Sequence, residues 1–67
     1  MDNNFVERLK TEQADLIEKI NKLKNFLSTD VFKNLTVDNR ELLIIQLEIM
    51  EAYSRVLSRR IQINDKE

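Results

Sequence analysis

The segment from Leu42 to Ile63 carries apolar residues on two sides of one helix, and this restricts the folds open to the chain more than any other feature. One stripe reads Leu43, Leu47, Met50, Ser54, Leu57, Ile61, and the other reads Leu42, Ile45, Ile49, Ala52, Val56, Arg59, Ile63. Each advances by three or four residues, the spacing of neighbours on a helical face. A helix that packs on one partner needs a single stripe. Two stripes call for one partner within the chain and predict another on a second chain.

The intrachain partner is supplied by Val6, Leu9, Gln13, Leu16, Ile20, Leu23 and Leu27, an unbroken alternation of steps of three and four that forms a heptad seam with one polar member. Phe5, Ile17 and Phe26 flank this seam and predict a buried face broader than a two-stranded coil requires. Gln13 either fixes the register of the pairing or reaches solvent, and solvent is the simpler expectation. Ser28, Thr29 and Asp30 favour caps and turns and stop the first helix. Val31, Phe32 and Leu35 are too apolar for a free loop and predict a short helical turn packed over the end of a hairpin. The second helix starts at Thr36 or at Asp38 as N-cap. Thr36 is favoured because it leaves Asp38 in the first turn, against the positive end of the helix dipole. The expected organisation is one domain over residues 1–67: a helix over about 3–28, a connector with a short helix over 29–36, and a helix over 37–63, fraying from Asn64 into Asp65, Lys66 and Glu67. The fold class is therefore all-α: two long antiparallel helices in a hairpin with a short helical connector, assembling into a homo-oligomeric bundle.

Composition closes the other routes to stability and to chemistry. A chain of 67 residues sits where a single core barely offsets the entropy of ordering. It has no Cys, so no disulfide, and with no His either a structural zinc site is nearly excluded. Gly and Pro are both absent, which rules out glycine-rich phosphate loops. A net charge of −1 is no match for a DNA or RNA backbone. The apolar run Leu42 to Ile45 is far too short to span a membrane, and the first residues lack a basic-then-apolar signal, so a soluble cytosolic protein is expected.

No catalytic residue, cofactor or metal ligand is expected. Ser28, Ser54 and Ser58 have no His to activate them. Glu12 with Asp15, and Glu48 with Glu51, have helical spacing but no accompanying Glu-x-x-His, and they read as solvated faces. The cations are more suggestive. Arg55 and Arg59 share a face at i, i+4, Arg60 adjoins them, and Arg59 falls on the second apolar stripe. There an unpaired charge is costly unless it meets an anion or a carboxylate at an interface. Guanidinium groups gathered about a symmetry axis would suit a small, multiply charged phosphate ligand. The plainer reading gives these arginines to the helix dipole and to solubility. Tyr53, Phe5 and Phe26 could stack on a flat base, or serve as core and interface anchors.

Taken together, Phe5-Val6-Glu7-Arg8-Leu9, the run from Leu16 to Leu27, Leu42-Leu43, Gln46 to Met50 and Tyr53 to Ile61 resemble a family of very small phage proteins. The family comprises proteins of crAss-like phages and the anti-CBASS cyclic-nucleotide sponges. The likeness lies in length and in the Lys-Leu-x-x-Phe and Met-x-x-Tyr-x-x-Val-Leu-x-x-Arg-Ile elements. It implies a hexamer of interlocked hairpins, in the cytoplasm of an infected bacterium, that sequesters cyclic di- and trinucleotides of host immunity without cleaving them. It also implies dinucleotide pockets between protomers, using an aromatic ring and a lysine of the first helix, and trinucleotide sites on arginines of the last helix. Carried over by pattern, the aromatic position falls on Phe5 or the adjacent Asn4, the lysine on Lys19 or Lys22, and the arginine on Arg60. Phe5 offers no hydroxyl, which bears on the dinucleotide pocket more than on the trinucleotide site. Arg8 and Arg55 join the candidates by charge and position, and Arg59 by its place on the second stripe. The competing expectation is a non-catalytic helical oligomer that binds a host protein through its exposed apolar stripe.

Overall fold

A computed structural model describes residues 3–65, with the side chain of Asn3 left out of the description. It contains α1 (Asn3–Leu27), α2 (Asp30–Lys33) and α3 (Val37–Asn64). The two long helices pack side by side and antiparallel, giving an elongated body of 49 × 15 × 12 Å.

The local signals act where the residue chemistry places them. Thr29 caps α2 by accepting from the Phe32 amide at 3.2 Å. Thr36 caps α3 by accepting from the Asn39 amide at the same distance, which leaves Asp38 in the first turn. Each cap satisfies one of the amides a helix start leaves open. Phe26 at the end of α1 meets Phe32 of α2 edge to face, with ring centroids 6.1 Å apart. This contact seats the connector on the end of the hairpin, with Phe32 and Leu35 half-buried. Val31 departs from expectation and stays exposed, since a four-residue helix has only one side to turn inward. The far end also differs: α3 continues through Asn64, and Asp65 closes it by donating its amide to the Ile61 carbonyl at 2.8 Å. The expected fraying of Lys66 and Glu67 lies outside the described residues.

The core is one seam. Val6, Leu9, Leu16, Ile20 and Leu57 are buried, and Phe5, Leu47, Met50 and Ile61 pack against the cluster around Leu57. This is the Val6 to Leu27 seam of α1 laid on the Leu43 to Ile61 stripe of α3. Gln13 is half-buried and reaches across the seam to α3. Its Nε2 donates to the Ser54 carbonyl at 3.3 Å and to Ser58 Oγ, so the polar member of one seam meets the polar members of the other. Register is the reading of Gln13 that the geometry supports. Ile17, expected to widen the buried face, is 43 % exposed, because a single partner helix covers one stripe and leaves the flanks open. Lys10 to Asp65 and Lys24 to Glu51, both at 3.1 Å, tie the helices at two levels along their length.

The second stripe is left uncovered by the hairpin. Leu42, Ile49 and Val56 are 62, 63 and 54 % exposed, and Ile45 and Ile63 are open as well. Tyr53 stands beside them, also exposed.

Candidate functional site

Antiparallel pairing brings the start of α1 to the end of α3, and with it most of the candidate residues. The best-defined contact is between Arg60 and Phe5: the guanidinium carbon lies 5.9 Å from the ring centroid, within reach of a cation–π attraction. Phe5 is half-buried, its ring held against the core cluster, while Arg60 is exposed. The apolar body of the ring anchors a charge that still faces water. Such a pair offers a cation to a phosphate and a ring edge to a flat group on one small surface.

Arg55 and Arg59 lie on a different flank of α3. They border a shallow notch with Gln13, Ser58, Ile61 and Gln62, a lining that contains two cations and no carboxylate. Arg59 is steadied by donating to Gln62 Oε1 at 3.3 Å. Arg55 is exposed and has no ion-pair partner among the described residues. Sequence reading missed the part of Gln13 and Ser58 in this notch. The signal was available in the placement of Gln13 and Ser54, each a polar interruption of its own apolar stripe.

None of the three arginines lies in the last turn of α3, which contains no basic residue. Because dipole attraction fades beyond the terminal turn, completing the dipole accounts for little of their placement.

The α1 candidates do not all join this end. Asn4 and Arg8 share a shallow groove on α1 with Glu7, Thr11, Glu12 and Asp15. Three carboxylates against one guanidinium make this a poor place for an anion. Lys19 and Lys22 are exposed and lie further along the helix. From Phe5, Lys19 is fourteen residues on, about 21 Å at the rise of an α-helix, and Lys22 is about 26 Å on. One hairpin therefore does not bring the aromatic and lysine candidates to the same small ligand. Phe26 is occupied by Phe32 and is not a free stacking platform.

Of the carboxylate pairs, Glu51 is engaged by Lys24, and Glu12 and Asp15 belong to the groove around Arg8. Among the described residues no group of three or more acidic, His or Cys side chains is placed to hold a metal, and no helix is long and apolar enough to cross a membrane.

Against known protein families, residues 3–63 match the Sequestin family. No curated protein and no solved structure matches the chain.

Proposed function

The chain belongs to the Sequestin family, and from that membership we propose that it is a phage anti-defence sponge, binding cyclic di- or trinucleotides of CBASS-type immunity and holding them without cleavage. The family name speaks of sequestration, in keeping with the likeness to phage sponges carried by the Lys-Leu-x-x-Phe and Met-x-x-Tyr-x-x-Val-Leu-x-x-Arg-Ile elements. The observation that carries the reading to a site is the Arg60 guanidinium over the Phe5 ring, at the end of the hairpin where Arg55 and Arg59 also lie. Binding of this kind needs charge and a flat surface but no positioned nucleophile or base. The protein acts, on this reading, in the cytoplasm of the infected host.

Assembly belongs to the same proposal. An exposed aliphatic stripe of the extent seen on α3 is seldom left in water by a small soluble domain, and separation of Phe5 from Lys19 along α1 leaves a shared ligand to be met by residues of different protomers. A homo-oligomer, in the resemblance a hexamer, meets both demands.

Isothermal calorimetry against a panel of cyclic di- and trinucleotides tests the ligand, with Arg60→Ala and Arg60→Lys as variants. The expected result is saturable binding that Arg60→Ala abolishes, with the nucleotide recovered intact after heating the complex. Absence of binding across the panel at tens of micromolar would refute it, and recovery of a cleaved nucleotide would refute the sponge. The exposure of Leu42, Ile49 and Val56 also supports a second reading, a non-catalytic oligomer that docks a host protein on this stripe. A stoichiometric host protein captured by the full chain and released by Ile49→Glu, without any nucleotide bound, would favour it.

A further inference from the structure

We propose that the exposed stripe of α3 is covered by α3 of a second copy running antiparallel to it, in the one register that pairs Glu48 of each chain with Arg55 of the other. This rests on the assembly half of the reading above and is independent of the ligand.

The stripe is itself a heptad seam. Leu42, Ile49, Val56 and Ile63 recur every seven residues and alternate with Ile45, Ala52 and Arg59. All seven are exposed in the hairpin. Glu41, Glu48 and Arg55 immediately precede Leu42, Ile49 and Val56 and so flank the seam on one side; Gln46, Tyr53 and Arg60 flank the other. The first flank is thus acidic toward the start of the helix and basic toward its end.

Those charges select an orientation. Two copies in parallel and in register would stack Arg59 on Arg59 within the seam and set Arg55 beside Arg60, joining like charges at both places. Antiparallel pairing centred between Met50 and Glu51 instead layers Ile45 on Val56 and Ile49 on Ala52, each twice by the two-fold axis. The small Ala52 lets the helices approach. Leu42 meets the stem of Arg59, whose long side chain carries its guanidinium past the apolar contact toward Glu41 of the other copy. Glu48 meets Arg55 on both sides of the axis.

The same charges select the register. Sliding the pair by one heptad in one direction places Arg55 against its own counterpart, and in the other direction places Glu48 against Glu48. That second slide also sets Glu41 against Arg55, so what singles out the central register is that it pairs opposite charges on this flank with no like-charge contact. It also separates the arginines, with Arg55 and Arg59 in the pairing and Arg60, on the opposite flank over Phe5, left for the ligand.

The chain has no native Cys, so cross-linking reads the arrangement directly. Full-length Ile45→Cys and Val56→Cys proteins are prepared separately, mixed under exchange conditions and oxidised. In the proposed register the two positions face each other, whereas like positions lie eleven residues, about 16 Å, apart along the axis, beyond the reach of a disulfide. A dominant 45–56 cross-link, with neither protein linking to itself, is the expected result. Self-linking of each single variant would overturn the orientation. In sedimentation velocity, Arg55→Glu should shift the protein to smaller species and Glu48→Arg with Arg55→Glu should restore the assembly. Failure of the double variant to restore it would overturn the register. A monomer at about 100 μM would overturn the pairing and the assembly together, whereas loss of nucleotide binding with the 45–56 link intact would overturn only the ligand reading.

Discussion

Truncating Leu57 tests the packing on which the hairpin rests. Leu57 is the fully buried side chain of α3 and belongs to one buried cluster with Leu9, Leu16 and Ile20, against which Phe5, Leu47, Met50 and Ile61 pack. Leu→Ala at such a site costs about 2–5 kcal/mol, with the value set by how far the surroundings collapse into the space. Two features act in opposite directions here. A two-helix seam has an open flank that can relax inward, but the Gln13 bonds to Ser54 and Ser58 hold the helices apart beside Leu57. A loss near the middle of the lower half, about 2.5 kcal/mol, follows. Domains of this size hold roughly 3–5 kcal/mol from a single core, so Leu57→Ala removes half or more. In melting temperature the same loss is roughly 10–20 °C. Urea unfolding followed by circular dichroism at 222 nm measures it, at several protein concentrations so that self-association is separated from the intrachain term. Ile49→Ala, on the exposed stripe, is the control: its effect should shrink on dilution while that of Leu57→Ala persists. A Leu57→Ala midpoint within about 0.5 kcal/mol of the unaltered chain would place the substitution among ordinary surface changes and refute this assignment of the core.

Gln13→Ala should cost about 1 kcal/mol, and a double-mutant cycle with Ser58→Ala should return a coupling of at least about 0.5 kcal/mol; additive single effects would show that the cross-helix bond does not set register. Thr36→Ala removes the α3 cap and should lower stability by about 0.5–2 kcal/mol, whereas Ser28→Ala, which touches only the Asn25 carbonyl, should change it by less; equal losses in urea titrations would refute the cap assignment. Lys10→Ala should cost no more than about 1 kcal/mol at low ionic strength, since both partners of its 3.1 Å bridge to Asp65 are about half exposed. Most of that difference should vanish in 0.5 M salt, and a salt-insensitive loss would assign Lys10 a packing role instead.

What was legible in the sequence was what a helix states about itself. Periods of three and four residues are local properties, so the two long helices, the Thr36 cap and the choice of stripe facing α1 could all be read from residue order. The facts that escaped concern how two elements meet. Gln13 considered alone has a ready outlet in water, and its pairing with Ser54 and Ser58 becomes evident only once both seams are set antiparallel. Ile17 and Val31 are apolar enough to suggest burial, but burial needs a covering surface, and neither one partner helix nor a four-residue turn supplies enough. For the candidate site the same division holds. The crowding of arginines at one end was readable; Arg60 settling on Phe5, away from Arg55 and Arg59, depended on which flank each occupies. Arg8 was chosen for its charge, and the three-dimensional neighbours Glu7, Glu12 and Asp15 set it apart from the arginines of α3.

Phe5 and Lys19 lie on one flank of α1, two heptads apart, and about 21 Å of helix separates them. No rearrangement of side chains within a hairpin closes that gap, because Phe5 is anchored against the core and a lysine spans only part of the distance. On the proposed reading, a cyclic dinucleotide that engages both must therefore take them from different chains, and its binding must track assembly. Arg55→Glu supplies the discriminating perturbation: Arg55 lies on a different flank of α3 from Arg60, and the restored Glu48→Arg, Arg55→Glu double variant still lacks this arginine, so it separates loss of assembly from loss of the Arg55 charge. Dinucleotide affinity in this variant should fall together with the assembled fraction, measured by calorimetry and sedimentation on the same samples, and should return with Glu48→Arg. Undiminished affinity in a dissociated Arg55→Glu protein would mean that one hairpin suffices, leaving Phe5 and Arg60 as the whole of the site and removing Lys19 from it.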